Sequence, residues 1–456
     1  MIDVLNKGLE GLRVDFCDLR FEELHGTSIV ISNEGIEEVA YKDTNGGIVR
    51  VLDKGGMAFS SFNSVDSMKN AITSAHKSAK LLSTKSKIDI TRFEPIKTKV
   101  STKYEIDPSS VDLEEKVKLC QEYMSILKSE GIQSARVRYL DYKKKKYYVN
   151  SEGSEIEMEF TYSGISFVAY AVDGSNVQRA AESIALYRGF EAVSNLHSKV
   201  EEVVKRAIDL LSAEQIVGGK YNVIIDPKLT GVFAHEAFGH LSEADHIYGN
   251  QKLMETMKIG RKFGVERLNI VDDGNIDGVV GYTPYDDEGI PAQRTYLIKD
   301  GILNARLHSR LTSNVMNEPL SGNARAITYE FPPLVRMTNT FVDNGDTPVE
   351  ELFEKLGNGI YVVDFLGGQT NLEMFTFSAA YGYKVENGKV TKLLRDITLT
   401  GNVFETLSNI VAIGNDLKIN STMGGCGKGG QSPLPVGDGG PHILVRDVLI
   451  GGKSGQ

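Results

Sequence analysis

Near the middle of the 456-residue chain stand His235, Glu236, Ala237, Phe238, Gly239 and His240, an HExxxH pattern. Neutral imidazole is a good zinc ligand. A catalytic zinc keeps three protein ligands and a water whose pKa falls to about 7. A carboxylate beside a ligand in sequence, without being one itself, can take that water's proton and pass it on. Glu236 is placed for that work. The spacing is the difficulty. In an α-helix, histidines four residues apart lie within roughly 40° of one another, whereas five apart leaves about 140°, too far for one small ion. The helix must therefore loosen or end at Gly239, by a wider turn or a left-handed backbone. The competing reading is a plain helix end, with one histidine capping carbonyls and the other solvated.

A third ligand decides between these readings. His246, Glu243 and Asp245 follow closely in "LSEADH", which would have to fold back. Cys426 is remote, but it stands among glycines in "TMGGCGKGGQSPLPVGDGG". Glycines let backbone approach a site, and a thiolate binds zinc strongly in a reducing compartment. The residues alone leave the choice open. A phosphate cradle is excluded: the first glycine is at the wrong offset, and no Ser or Thr follows Lys428. Glu243 and Asp245 would either orient His240 as acceptors or be solvated. Asp286, Asp287 and Glu288 in "TPYDDEG" would line a cleft, bind a partner subunit, or form an acidic surface turn. His25, His76, His197, His308 and His442 show no partner pattern.

The elements around these residues follow from pattern. "YNVII" is a buried strand, Asp226 caps the helix after it, and Pro227 fits that helix's first turn. Helical stripes run through Met68, Ile72, Ala75, Ala79 and Leu82. A second joins Leu113, Val117, Cys120, Met124 and Leu127, and a third Val200, Val203, Val204, Ala207 and Leu211. Residues 17–62 read as strands with turns at "NEG" and "NGG", and residues 135–190 as an antiparallel meander. There Ile156, Met158, Phe160 and Tyr162 share one face. Lys143–Lys146 reads as a solvated hairpin turn. The texture changes at the glycine pair after residue 216. The expected fold is α+β in two lobes: an α/β lobe over residues 1–215, and a β-rich lobe over 216–456 carrying the HExxxH helix.

The formal net charge of −10 disfavours binding to phosphate backbones. Three cysteines, Cys17, Cys120 and Cys426, argue against a disulfide framework and for a reducing compartment, so the cytoplasm is expected. No signal peptide is read at the N-terminus, and no stretch approaches the ~20 apolar residues of a membrane helix.

Together, "HEAFGHLSEAD", "YDDEG", "SGNARA", "RMTNT", "RDITLTGN" and "MGGCGKGGQ" resemble the TldD/PmbA metalloprotease family, in its metal-bearing TldD-type branch. They stand in the family's order and cover most of residues 220–456; the first half resembles it more loosely. The resemblance implies a Zn2+-dependent peptidase acting on peptides and small unfolded proteins. It places the metal on His235, His240 and Cys426, with Glu236 as general base. It also implies pairing as a homodimer, or as a heterodimer with a metal-free relative. The rival classes are a non-catalytic peptide-binding or assembly subunit, and a metal-dependent amidase on non-peptide substrates.

Overall fold

Long alternating runs in the first half of the chain produce unusually long strands. The computed structural model describes residues 1–85, 87–371 and 373–452. Strands β1 (Phe16–Ser32), β2 (Gly35–Asp53), β3 (Gly56–Phe62), β4 (Lys97–Ser101), β5 (Ile132–Asn150), β6 (Glu155–Asp173) and β7 (Asn176–Leu186) form one sheet. Its order is β3-β2-β1-β5-β6-β4, and β7 pairs with the other half of β6. Only β4 runs parallel to its neighbour. An α/β arrangement was expected of this region. Tight hairpins instead join β1 to β2, β2 to β3, β5 to β6 and β6 to β7, and connections that short allow only antiparallel neighbours.

The helices α1 (Ile2–Leu9), α2 (Met68–Leu82), α3 (Leu113–Leu127) and α4 (His197–Leu211) supply the apolar faces that cover this sheet. Met68, Ile72, Ala75 and Ala79 are buried as their spacing predicts, while Leu82 lies exposed at its helix end. Cys120 of α3 and Val200, Val203, Val204 and Ala207 of α4 join the core beneath β5, β6 and β7.

Two local expectations fail. "NGG" is no turn: Gly46 and Gly47 lie inside β2, and the chain reverses at Lys54-Gly55 instead. The glycines make room there, because a Cβ at Gly46 would overlap the Tyr329 ring and one at Gly47 the Phe62 ring. Nor is Lys143–Lys146 a solvated turn. It sits in the middle of β5, with Lys144 held 2.8 Å from Glu22 and Lys146 2.8 Å from Asp287. Buried carboxylates make a lysine run compatible with a central strand.

Beyond β8 (Glu214–Gln215), strand β9 (Gly219–Ile225) lies inside an eight-stranded sheet that closes on itself, because Gly359–Asn371 pairs both with β9 and with Met374–Glu386. It pairs in parallel with Gly359–Asn371 and antiparallel with Ile443–Gly451. The Asp226 side chain accepts the Leu229 N–H at 2.9 Å, and Pro227 occupies the first turn of α5 (Pro227–Ala234). That helix packs between the eight-stranded sheet and a six-stranded one, against Gly359–Asn371 on one side and Gly437–Gly440 on the other. The residues that follow α5 are therefore held from two sides.

Candidate active site

Directly after α5, residues His235–Gly239 form one turn of π-helix, and the His240 N–H donates to the His235 carbonyl. An i→i+5 turn stacks residues five apart, as an α turn stacks residues four apart. The two imidazoles consequently come together edge to face, with ring centroids 5.2 Å apart. Gly239 keeps ordinary helical angles, φ −56° and ψ −54°, so no left-handed backbone is involved. Glycine serves packing instead: a Cβ there would overlap the sulfur of buried Met337.

The glycine-rich segment closes the group. Cys426–Lys428 and Gln431–Leu434 form a hairpin, and Cys426 Sγ lies 3.4 Å from His240 Nε2. One ligand atom from each of His235, His240 and Cys426 lies within 4.8 Å of the others. His246, which is half exposed, and Asp245 stay outside this group. The hairpin is pinned by residues that sequence reasoning passed over. Buried Arg336, from "RMTNT", donates to the Cys426 carbonyl at 2.7 Å. Lys428 Nζ donates to Glu243 at 3.1 Å, to Asp245 at 2.6 Å and to the Val335 carbonyl at 2.8 Å. Fully buried Glu243 lies 3.1 Å from His240 Nδ1. With the His240 proton on Nδ1, Nε2 is left as a ligand atom facing the thiol.

Electrostatics agree with this geometry. Burial acts to raise the Cys426 thiol, but the His235 and His240 imidazoles hold it down at about 5. Burial acts to lower His240, yet Cys426 and Glu243 raise it to about 10. The cluster thus favours a thiolate facing positive charge. Nδ1 of buried His235 has no hydrogen-bond partner among the described residues. A soft sulfur with two imidazoles is a donor set suited to zinc, so these residues fit that ion.

Glu236 opens onto a cleft of about 600 Å³ lined also by all three of these residues, β7, α4 and the strand Gly437–Gly440. Asp438 lines it as well. Burial raises its carboxyl to about 6, and Asn420 donates to it at 3.0 Å. "TPYDDEG" is not a surface turn. Asp286, Asp287 and Glu288 are buried, and Asp286 accepts N–H groups from Glu288, Ile290 and Ala324, each at 2.9 Å. Asp287 pairs with Arg20 at 3.1 Å and Lys146 at 2.8 Å, while Glu288 pairs with Arg50. The acidic turn therefore fastens the second half of the chain onto β1, β2 and β5. His308 and His442 are likewise buried, against Glu318 at 2.9 Å and Asp416 at 2.8 Å.

The models that match this chain define a metallopeptidase family. Family models match residues 17–79 (PmbA/TldA metallopeptidase domain 1), 106–211 (central domain) and 218–452 (C-terminal domain). The chain is 41% identical to a metalloprotease of Synechocystis sp. over 97% of its own length and 96% of the relative's. It is 35% identical to a zinc metalloprotease TldD homolog of Saccharolobus solfataricus, over 71% of this chain and 72% of that one. Its fold matches TldE from Thermococcus kodakarensis with a TM-score of 0.74 at 16% identity, covering 99% of both chains. A Thermotoga maritima structure, described as a candidate modulator of a DNA gyrase, matches with a TM-score of 0.79 at 21% identity, over 96% of each chain. The chain belongs to the TldD/PmbA metallopeptidase family.

Proposed function

We propose that this chain is a zinc-dependent peptidase holding its ion on His235, His240 and Cys426, with Glu236 as general base. The observation that carries the reading is the π turn, which brings two histidines five residues apart to a remote thiol at the wall of a cleft. When bound, the zinc supplies a Lewis acid that makes a water nucleophilic near neutral pH and takes up negative charge from the carbonyl. The chain's own residues do the rest. Glu243 orients His240, and Lys428 and Arg336 hold the Cys426 hairpin. Glu236 takes the proton of the attacking water and delivers it to the departing amine. Peptides and small unfolded proteins are the substrates, bound in extended form along the edge strand β7. The chain works in the cytoplasm as two lobes divided near residue 216. It pairs with itself or with a metal-free relative, and engages neither nucleic acid nor membrane; no helix among the described residues is long and apolar enough to cross one.

Glu236→Gln tests this directly. The variant should keep its zinc and lose peptide hydrolysis by about 10²–10⁴-fold, measured on unfolded protein, short peptides and small amides. Hydrolysis at the wild-type rate would remove Glu236 from the mechanism. A wild-type protein that cleaves amides but no peptide would make it an amidase.

A further inference from the structure

Beside the two histidines, three arginine or lysine side chains line the cleft, and two are already committed. Lys228 Nζ lies 2.9 Å from Glu182 and 3.3 Å from Asp364. Arg206 lies 3.8 and 3.7 Å from the same two carboxylates. These four charges balance one another. Arg179, half-buried on β7, is the third cation. Its side chain makes no hydrogen bond, ion pair or ring contact with any described residue. A guanidinium presents a planar fork of donors that matches a carboxylate with two parallel hydrogen bonds. With no carboxylate in contact with it among the described residues, it is set to receive one.

The position of Arg179 gives the distance. β7 is an edge strand over this stretch, pairing only with β6. The Ser183 hydroxyl accepts the Met423 N–H at 3.0 Å, three residues before Cys426, so Ser183 marks the end of β7 near the candidate metal ligands. Arg179 stands four residues away, about 13 Å along an extended strand. A peptide lying extended in the cleft advances at the same rate per residue.

We propose that Arg179 is a specificity-determining residue that anchors a substrate carboxylate several residues from the scissile bond. Two sources offer this group: the C-terminal carboxylate of a short peptide, or the side chain of Asp or Glu. The proposal rests on reading the cleft as a peptidase site, and its test is a binding measurement that needs no turnover.

The full chain carrying Glu236→Gln is titrated against N-terminally fluorescein-labelled hexapeptides, read by fluorescence anisotropy. The peptides are a free acid, its C-terminal amide, and amides with a single Glu or Gln scanned along the sequence. The free acid, or one of the Glu amides, should bind about 10-fold tighter than its neutral match. The free acid or the Glu amide carrying the preference identifies the source. Adding Arg179→Gln should abolish that preference and leave the affinity for the neutral amides unchanged. Equal affinity for charged and neutral peptides overturns the proposal. So does a preference that survives Arg179→Gln, an equal loss for all peptides in that variant, or no binding at all. Failure of the wild-type chain to hydrolyse any peptide that it binds would instead overturn the peptidase reading and leave the carboxylate preference to stand on its own measurement.

Discussion

At the scale of single residues, His235 and His240 stood out because metal chemistry demands particular residue types. The residues alone left the third ligand open among His246, Glu243, Asp245 and Cys426. Only the family resemblance chose Cys426, which the fold brings to the two histidines. Spacing pointed to a loosened turn, and the glycines around Cys426 marked it as unusual. The side chains that position this group were far less legible. Glu243 reads equally well as a solvated acid, and Lys428 and Arg336 carry no pattern, because any polar residue at any sequence distance can make a supporting hydrogen bond. Glu243 nevertheless faces His240 Nδ1 at 3.1 Å from full burial. Glu243→Gln should therefore weaken zinc binding about 10–100-fold, as measured by competition with a chromophoric chelator. Unchanged affinity would mean that the imidazole is oriented by packing alone. Cys426→Ala, assayed for zinc per chain, should lose most of its metal, and full retention would take the thiolate out of the ligand set.

At the scale of elements, period and caps located α2, α3, α4 and α5 to within a few residues. The Asp226-Pro227 start of α5 was readable from two letters. What period cannot show is which of several backbones relieves a five-residue spacing. The wider turn and the left-handed end were both open, and tertiary packing selects the π turn. Sandwiched between two sheets, α5 runs on with helical dihedrals, while Met337 presses against Gly239. Gly239→Ala forces a methyl into that sulfur and should cost about 1–3 kcal/mol by overpacking, with zinc affinity falling as His240 is pushed away. Met337→Ala in the same chain vacates the space, so the double variant should recover stability relative to additivity of the two single changes. Thermal unfolding of all four proteins reads the coupling. Strict additivity would show that the Met337 sulfur is not what excludes a side chain at 239. The misreading of "NGG" as a turn has the same root: a glycine marks a close approach as readily as a reversal, and only the neighbouring chain tells which.

At the scale of the whole molecule, the two halves are joined by charges that local sequence could not reveal, since the partners lie far apart in the chain. Arg20 of β1, Lys146 of β5 and Asp287 of "TPYDDEG" meet in one buried cluster, with Glu22 3.2 Å from Arg20. Beside it, Arg50 of β2 pairs with both Asp18 and Glu288. The lysine run and the acidic turn each looked like a surface feature because each holds half of an ion-pair network. A buried charge stripped of its partner is costly, so Asp287→Ala, which strands Arg20 and Lys146, should destabilise the fold by about 3–5 kcal/mol. The pH dependence has a definite sign. Burial opposes ionisation of Asp287, but Arg20 and Lys146 outweigh it and hold the carboxyl well below its ordinary value of 3.8. The unfolded chain thus takes up this proton first. The stability that Asp287 contributes is complete above about pH 4 and drains away as the pH falls below that. Glu22, held down by Lys144, Lys146 and Arg20 against its burial, acts in the same direction. Urea unfolding between pH 3 and 7 should show wild-type stability falling at the acid end, with a shallower fall in Asp287→Ala. Parallel pH curves, or a variant as stable as wild type at pH 7, would mean that apolar contacts hold the two halves together and that the buried ions only set their register.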